Sequence, residues 1–244
     1  MGFCLKGWKE CSLIVAIHQP NYLPYLGFFH KIALADLFVL YDTAQFSKNE
    51  FQNRNRIKTP RGPLWLTVPV RSPAFQAIRN VEISGNRWKS LHWRTIQSNY
   101  ARSSFFGSYS RDLQNLYSKD WRQLSLANEA LIRFIAAAFG HAPTIRRASE
   151  LGAIENLSAS AKLAEIVRRS GGDAYLSGRG ASRYLEPDEF GEVKLLVQEF
   201  HHPEYPQLWG PFVPDLSALD FLLNVGDKSR GVIESLGQAR PWNR

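Results

Sequence analysis

Apolar positions along the chain fall into short runs separated by polar stretches of very different texture. Leu13–Ile17 is an unbroken run of five apolar residues, ended by His-Gln-Pro-Asn, and reads as a buried strand running into a turn. Pro20 and Pro24 keep Gln19 and Leu23 out of helical geometry. In "YLGFFHKIALAD", Leu26, Phe29, Ile32 and Ala33 share one face of a helix, and Leu37–Leu40 is a second buried strand. Strand, loop, helix, strand is the unit of a parallel α/β sheet. "LWLTVPV" (Leu64–Val70) alternates like a strand, with Pro69 marking an edge or an end.

From about Trp88 to Phe139 the period is helical, with breaks near Phe106–Gly107 and Asp120; "LSLANEALIRFIAAAFG" closes this region at Gly140. "PTIRRAS" reads as a short strand. "NLSASAKLAEIVRRSGG" reads as a helix capped by Asn156 or Ser158, with Ser160, Leu163, Ala164 and Val167 inward and Gly171 as its stop. "DAYLSG" and "EVKLLVQEF" follow as strands and "LSALDFLLNVG" as a last helix. The pattern predicts one α/β domain over residues 1–244, mainly parallel in its sheet, with a helical region at 86–140 and a polar tail at 227–244. There is no internal repeat and no low-complexity segment.

Composition narrows the setting. Hydrophobic residues make up 44% of the 244, enough for a core. Cys4 and Cys11 cannot build a disulfide framework or a four-ligand zinc site, so a reducing cytoplasm is the simplest compartment. No apolar run reaches the roughly 18 residues of a membrane span, the first run is too short for a signal core, and Lys6 breaks the myristoylation pattern of the "MGFCLK" start. The 30 basic and 22 acidic residues leave a net charge of +8. That suits either a plain basic surface or an anionic partner: a nucleotide, a phosphorylated sugar, nucleic acid or an acidic carrier protein. Trp88, Trp93 and Tyr100 read as helix packing rather than a base-stacking platform, so nucleic acid is not expected.

The polar residues are unevenly placed. In open α/β sheets, ligands sit outside the carboxyl ends of the strands. "HQPNYLP" follows the first strand, "YDTAQFSKNEFQNRNR" the second, and "SGRGASRYL" the strand at Ala174–Leu176. Parallel order would gather His18, Gln19, Asn21, Tyr22, Asp42, Gln45, Lys48, Gln52, Asn53, Arg54, Asn55, Arg56, Ser177, Gly178, Arg179 and Arg183 on one rim. Each has a plain alternative. His18 is a proton acceptor near neutral pH or a ring bonded to a neighbouring carbonyl. Asp42 orients a histidine or caps a turn. Arg54 and Arg56 grip phosphate with a fork or are surface charge. The glycines of "SGRG" let backbone approach an anion or only turn the chain, without the spacing of a P-loop or dinucleotide fingerprint. His201 and His202 point oppositely on a strand and do not share a metal.

"IHQPNYLPYLGFFHKI", "AQFSKNEFQNRNRIK", "WLTVPV", "YLSGRGASRYL" and "YPQLWGPFVPDLSALDFLLNVG" together resemble the WbqC-like protein family from about Val15 to Gly226. That resemblance implies a cytoplasmic step in O-antigen or other surface-polysaccharide synthesis, with acylation of an amino sugar as the expected chemistry. A weaker resemblance, in "LFVLYDTAQFSKNEFQNRNR" and "YLSGRGASRYLEPDEF", is to pantoate–β-alanine ligases. It implies a nucleotidyltransferase-type, Rossmann-like fold and ATP with magnesium, with Gln45 on the acid substrate and Ser177 and Arg179 on phosphates. The His-x-Gly-His pair of those ligases is missing from "PYLGFFHKI", where only Gly27 matches.

Three functions remain open at this point. The first is an amide-forming acyl or aminoacyl transferase or ligase acting on a nucleotide-linked amino sugar. Its base would be His18, oriented by Asp42, with Gln45 and Asn53 on the acyl or sugar amide. The second is a nucleotidyltransferase acting on a sugar phosphate. The third is a non-catalytic binding subunit of a glycan-modifying system.

Overall fold

The computed structural model describes residues 12–71, 73–141, 144–152, 154, 156–180, 185–226 and 229–242. The chain opens with β1 (Ile14–His18), α1 (Leu26–Leu34) and β2 (Leu37–Leu40). A hairpin of β3 (Arg54–Thr59) and β4 (Gly62–Thr67) follows, then a small pair, β5 (Val70–Arg71) and β6 (Glu82–Ile83). Three helices come next: α2 (Arg87–Tyr100), α3 (Phe106–Ser118) and α4 (Leu124–Ala138). After β7 (Thr144–Arg147), α5 (Ala159–Arg169) takes Ser158 as its N-cap, the hydroxyl accepting from the Ala161 amide at 3.2 Å. β8 (Ala174–Ser177), β9 (Lys194–Phe200), α6 (Ala218–Val225), α7 (Ser229–Ser235) and β10 (Gly237–Pro241) complete the order.

Six strands form one sheet in the order β10-β9-β8-β1-β2-β7. All neighbours are parallel except β10, which runs antiparallel to β9. The alternation of each central strand feeds two cores. Ala16, Phe38, Leu40 and Leu176 join the larger one, with α1, α4 and α6. Val15, Ile17, Leu37, Val39 and Tyr175 join the smaller one, under α5. A parallel sheet covered on both faces needs apolar residues at every position, which is why these strands read as unbroken runs. No helix among the described residues is long and apolar enough to cross a membrane.

Two expectations need correction. Residues 227–244 are not a plain polar tail: α7 packs near α1, and β10 is the antiparallel edge of the main sheet. Arg54–Arg56 are not loop either. They open β3, whose register pairs Arg56 with Trp65 of β4.

Candidate functional site

Because β8, β1 and β2 are adjacent and parallel, their carboxyl ends and the three polar segments that follow lie side by side. Register sets His18 opposite Leu40 and Ala16 opposite Leu176, so His18, Leu40 and Ser177 end their strands at nearly one level. His18 packs edge-on against Phe28 of α1, ring centroids 4.8 Å apart. Its Nδ1 lies 3.0 Å from the Gln19 carbonyl. A carbonyl only accepts, so Nδ1 carries the proton and Nε2 holds a lone pair that makes no hydrogen bond among the described residues. Burial, helped by the positive charge of Lys31, pulls the His18 pKa down to about 3, so the ring is neutral at physiological pH.

Much of the polar excess between Tyr41 and Gly62 fastens loops. Gln52 donates to Gln19 Oε1 at 2.7 Å and accepts from the Ser47 amide at 2.7 Å, tying the loop after β1 to the loop after β2. Asn55 donates to the Leu23 carbonyl at 2.6 Å and Asn53 to the Val68 carbonyl at 3.0 Å. From the opposite side, Asn128 of α4 donates to the carbonyls of Pro20 and Gln52, both at 2.8 Å. All of these amides except Gln19 are buried. Asp42 is buried too, and does not orient His18. Its oxygens accept from the Ser149 amide at 2.9 Å and the Ser149 hydroxyl at 2.6 Å, which pins the turn after β7. Tyr22 is also taken away from the rim surface: its ring is wholly buried and its hydroxyl meets His92 Nδ1 at 2.7 Å and the Tyr117 hydroxyl at 2.6 Å.

The other expected residues divide by exposure. Asn21 is buried, while Gln45, Lys48 and Arg179 are exposed. Arg183 lies outside the described residues. Arg54 and Arg56 share the face of Trp65, their guanidinium carbons 4.4 and 5.5 Å from its centroid, and Phe51 leans on the same ring at 6.2 Å. Trp65 is 41% exposed, so this hairpin presents two cations and two aromatic rings to solvent. Ser177 is buried with no partner for its Oγ.

One residue of the site was not anticipated. Lys31, on α1, is 5% exposed, and burial lowers its pKa to about 8. A side chain on Gly178 would come within 3.3 Å of its Nζ, which places the ammonium against the end of β8. The signal was in the sequence: "LGFFHKIAL" is apolar on nearly every side of Lys31, and a helix apolar all round is buried together with whatever charge it carries.

The WbqC-like protein family model matches residues 19–231. The chain belongs to the WbqC-like protein family. "Uncharacterized protein Rv1507c" of Mycobacterium tuberculosis is 35% identical to it over 218 residues, covering 87% of this chain and 94% of that protein. The WbqC-like match takes in the rim segments from Gln19 onward; His18 is the residue just before it. Two cavities in this WbqC-like chain have no residue of the rim segments in their lining. One, of about 330 Å³, is lined by Lys89, Trp93 and Tyr117 among others, and the other, of about 430 Å³, by Tyr205, Gln207 and Phe212 among others.

Proposed function

We propose that this protein is a cytoplasmic transferase of surface-polysaccharide synthesis that forms an amide on the amino group of a nucleotide-linked sugar. The observation that carries the reading is His18: a neutral imidazole at the carboxyl end of β1, fixed as the Nδ1–H tautomer, with an unbonded Nε2. The amine nitrogen of the sugar attacks the acyl carbonyl. Its proton passes to Nε2, and the leaving group departs with the electron pair of the broken acyl bond. Gln19 orients the base through its backbone carbonyl and the neighbouring loop through its side chain.

Supporting features are the family membership, the parallel order of the central strands, and the cationic groups of the rim segments. Arg54 and Arg56 beside Trp65 suit a nucleotide's phosphates and base, or the acidic surface of a carrier protein that delivers the acyl group. ATP with magnesium is what the ligase resemblance implies. Lys31 suits a phosphate of ATP.

The test is a transfer assay read by mass spectrometry, offering a panel of nucleotide-linked amino sugars with acyl-carrier and acyl-adenylate donors. Product should form with at least one pair. His18→Ala should lower turnover by about 10²–10⁴-fold with the fold retained by circular dichroism. No product from any pair, or full turnover in the variant, refutes the assignment.

A further inference from the structure

Lys31 is a buried cation with nothing to balance it. It makes no hydrogen bond or ion pair among the described residues, and its pKa is lowered by burial alone. The charged groups on the elements packed against α1 are committed elsewhere. Asp220 of α6 accepts from Tyr100 at 2.6 Å and Tyr205 at 3.0 Å, Glu199 of β9 pairs with Arg240 of β10 at 2.6 Å, and Glu234 of α7 faces His141 at 3.9 Å. His30, the preceding residue of α1, turns its Nδ1 to Gln198 of β9 at 2.8 Å. His18 of β1 feels the charge of Lys31. An unpaired buried charge is costly and is retained where a ligand supplies its partner.

The surroundings of Nζ match such a ligand. Gly178 has no side chain to press on the ammonium; a Cβ there would lie 3.3 Å from Nζ. We propose that the Lys31 ammonium and the backbone beside it at Gly178 form a receptor for a phosphoryl group of the substrate, on the face of the sheet that carries His18 and α1. This rests on the transferase reading only for the identity of the molecule that carries the phosphoryl group. The ammonium offers three donors, enough to engage more than one oxygen of a phosphate. Occupancy has a consequence for His18. A bound anion offsets the Lys31 charge that depresses the imidazole, so the base becomes stronger when the phosphoryl group is in place.

Titration of inorganic phosphate into the full-length protein by calorimetry tests this. Above pH 7.5 phosphate stays a dianion, so the pH dependence reports the protein. The parent should bind phosphate at pH 7.5 and bind it about 10–30-fold more weakly at pH 9.5, because a site that needs an ammonium loses about tenfold per pH unit above its pKa. Lys31→Met should abolish binding, and Gly178→Ala should weaken it. In the NMR spectrum of the parent, phosphate should raise the His18 titration midpoint; in folded Lys31→Met it should not. Failure of the parent to bind phosphate overturns the receptor. So does equal binding by folded Lys31→Met, or loss of binding only in Arg54→Gln/Arg56→Gln. Phosphate binding without transfer to any amino sugar would keep the receptor and remove the transferase reading.

Discussion

Replacing Lys31 with methionine should make the protein more stable, and the size of the gain can be worked out. Burial moves the lysine from the ordinary 10.5 to about 8. At 1.36 kcal/mol per pH unit, holding the ammonium folded at pH 7 costs about 3 kcal/mol relative to the unfolded chain. Methionine keeps most of the stem volume and has no charge to desolvate. For a chain of this size about 3 kcal/mol corresponds to a rise in Tm of about 5–10 °C. The sign of the pH dependence is fixed as well. Between pH 8 and 10.5 the unfolded chain binds more protons than the folded one at this position, so the parent gains stability as pH rises. The advantage of Lys31→Met should therefore be full at pH 7 and nearly gone above pH 10.5. Urea midpoints of both proteins at the two pH values, with equal m-values, measure it. A variant less stable than the parent at pH 7, or a gap that persists at pH 10.5, would mean that the lysine is paired or hydrated and would refute the reasoning.

Two further outcomes follow from buried polar groups. Asn128→Ala leaves the Pro20 and Gln52 carbonyls without their donor, and should cost about 2–4 kcal/mol in urea unfolding; a loss under about 0.5 kcal/mol would show that the rim loops are held without it. His30 and His92 are both neutral when folded, burial lowering each to about 4. Below the ordinary 6.5 the unfolded chain takes up their protons and the folded chain does not, so stability should fall as pH drops, approaching about 2.7 kcal/mol per pH unit near pH 5 for the two rings. Unfolding midpoints unchanged between pH 7 and 5 would contradict their burial.

What the sequence disclosed, and what it hid, follows the physics of each element. β1, β2 and β8 were legible because a sheet covered on both faces leaves no polar position to confuse the pattern. Their parallel order then followed from the strand–helix–strand unit, and with it the shared rim. β10 was not legible: "GQARP" is an exposed edge strand, held by backbone bonds to β9, and edges carry no apolar signature. Asn53, Asn55 and Gln52 looked like ligand contacts because an amide that grips a substrate and an amide that grips a distant carbonyl have the same one-letter code. The difference lies in partners such as Leu23, 32 residues from Asn55, which a local pattern does not contain. Asp42 is the same case, its partner Ser149 lying 107 residues away.

This redistribution changes what the rim is for. Polar residues first read as many weak contacts to a ligand instead make a rigid frame: Gln52 to Gln19, Asn128 to Pro20 and Gln52, and Asp42 to Ser149. At the strand ends that the frame surrounds, His18 Nε2 and the Lys31 ammonium make no hydrogen bond among the described residues, and the Ser177 hydroxyl is buried without a partner. A catalytic group is useful only when its supporting shell holds it still. A fold that saturates nearly every amide around three strand ends while leaving a neutral imidazole and a lone ammonium unpartnered is locally unfavourable there, and local conflicts of that kind are expected at functional sites. The cost of burying Lys31 is one that an incoming anion would offset in part. A Lys31→Met variant that is more stable and no longer binds phosphate would tie the two effects to this one side chain.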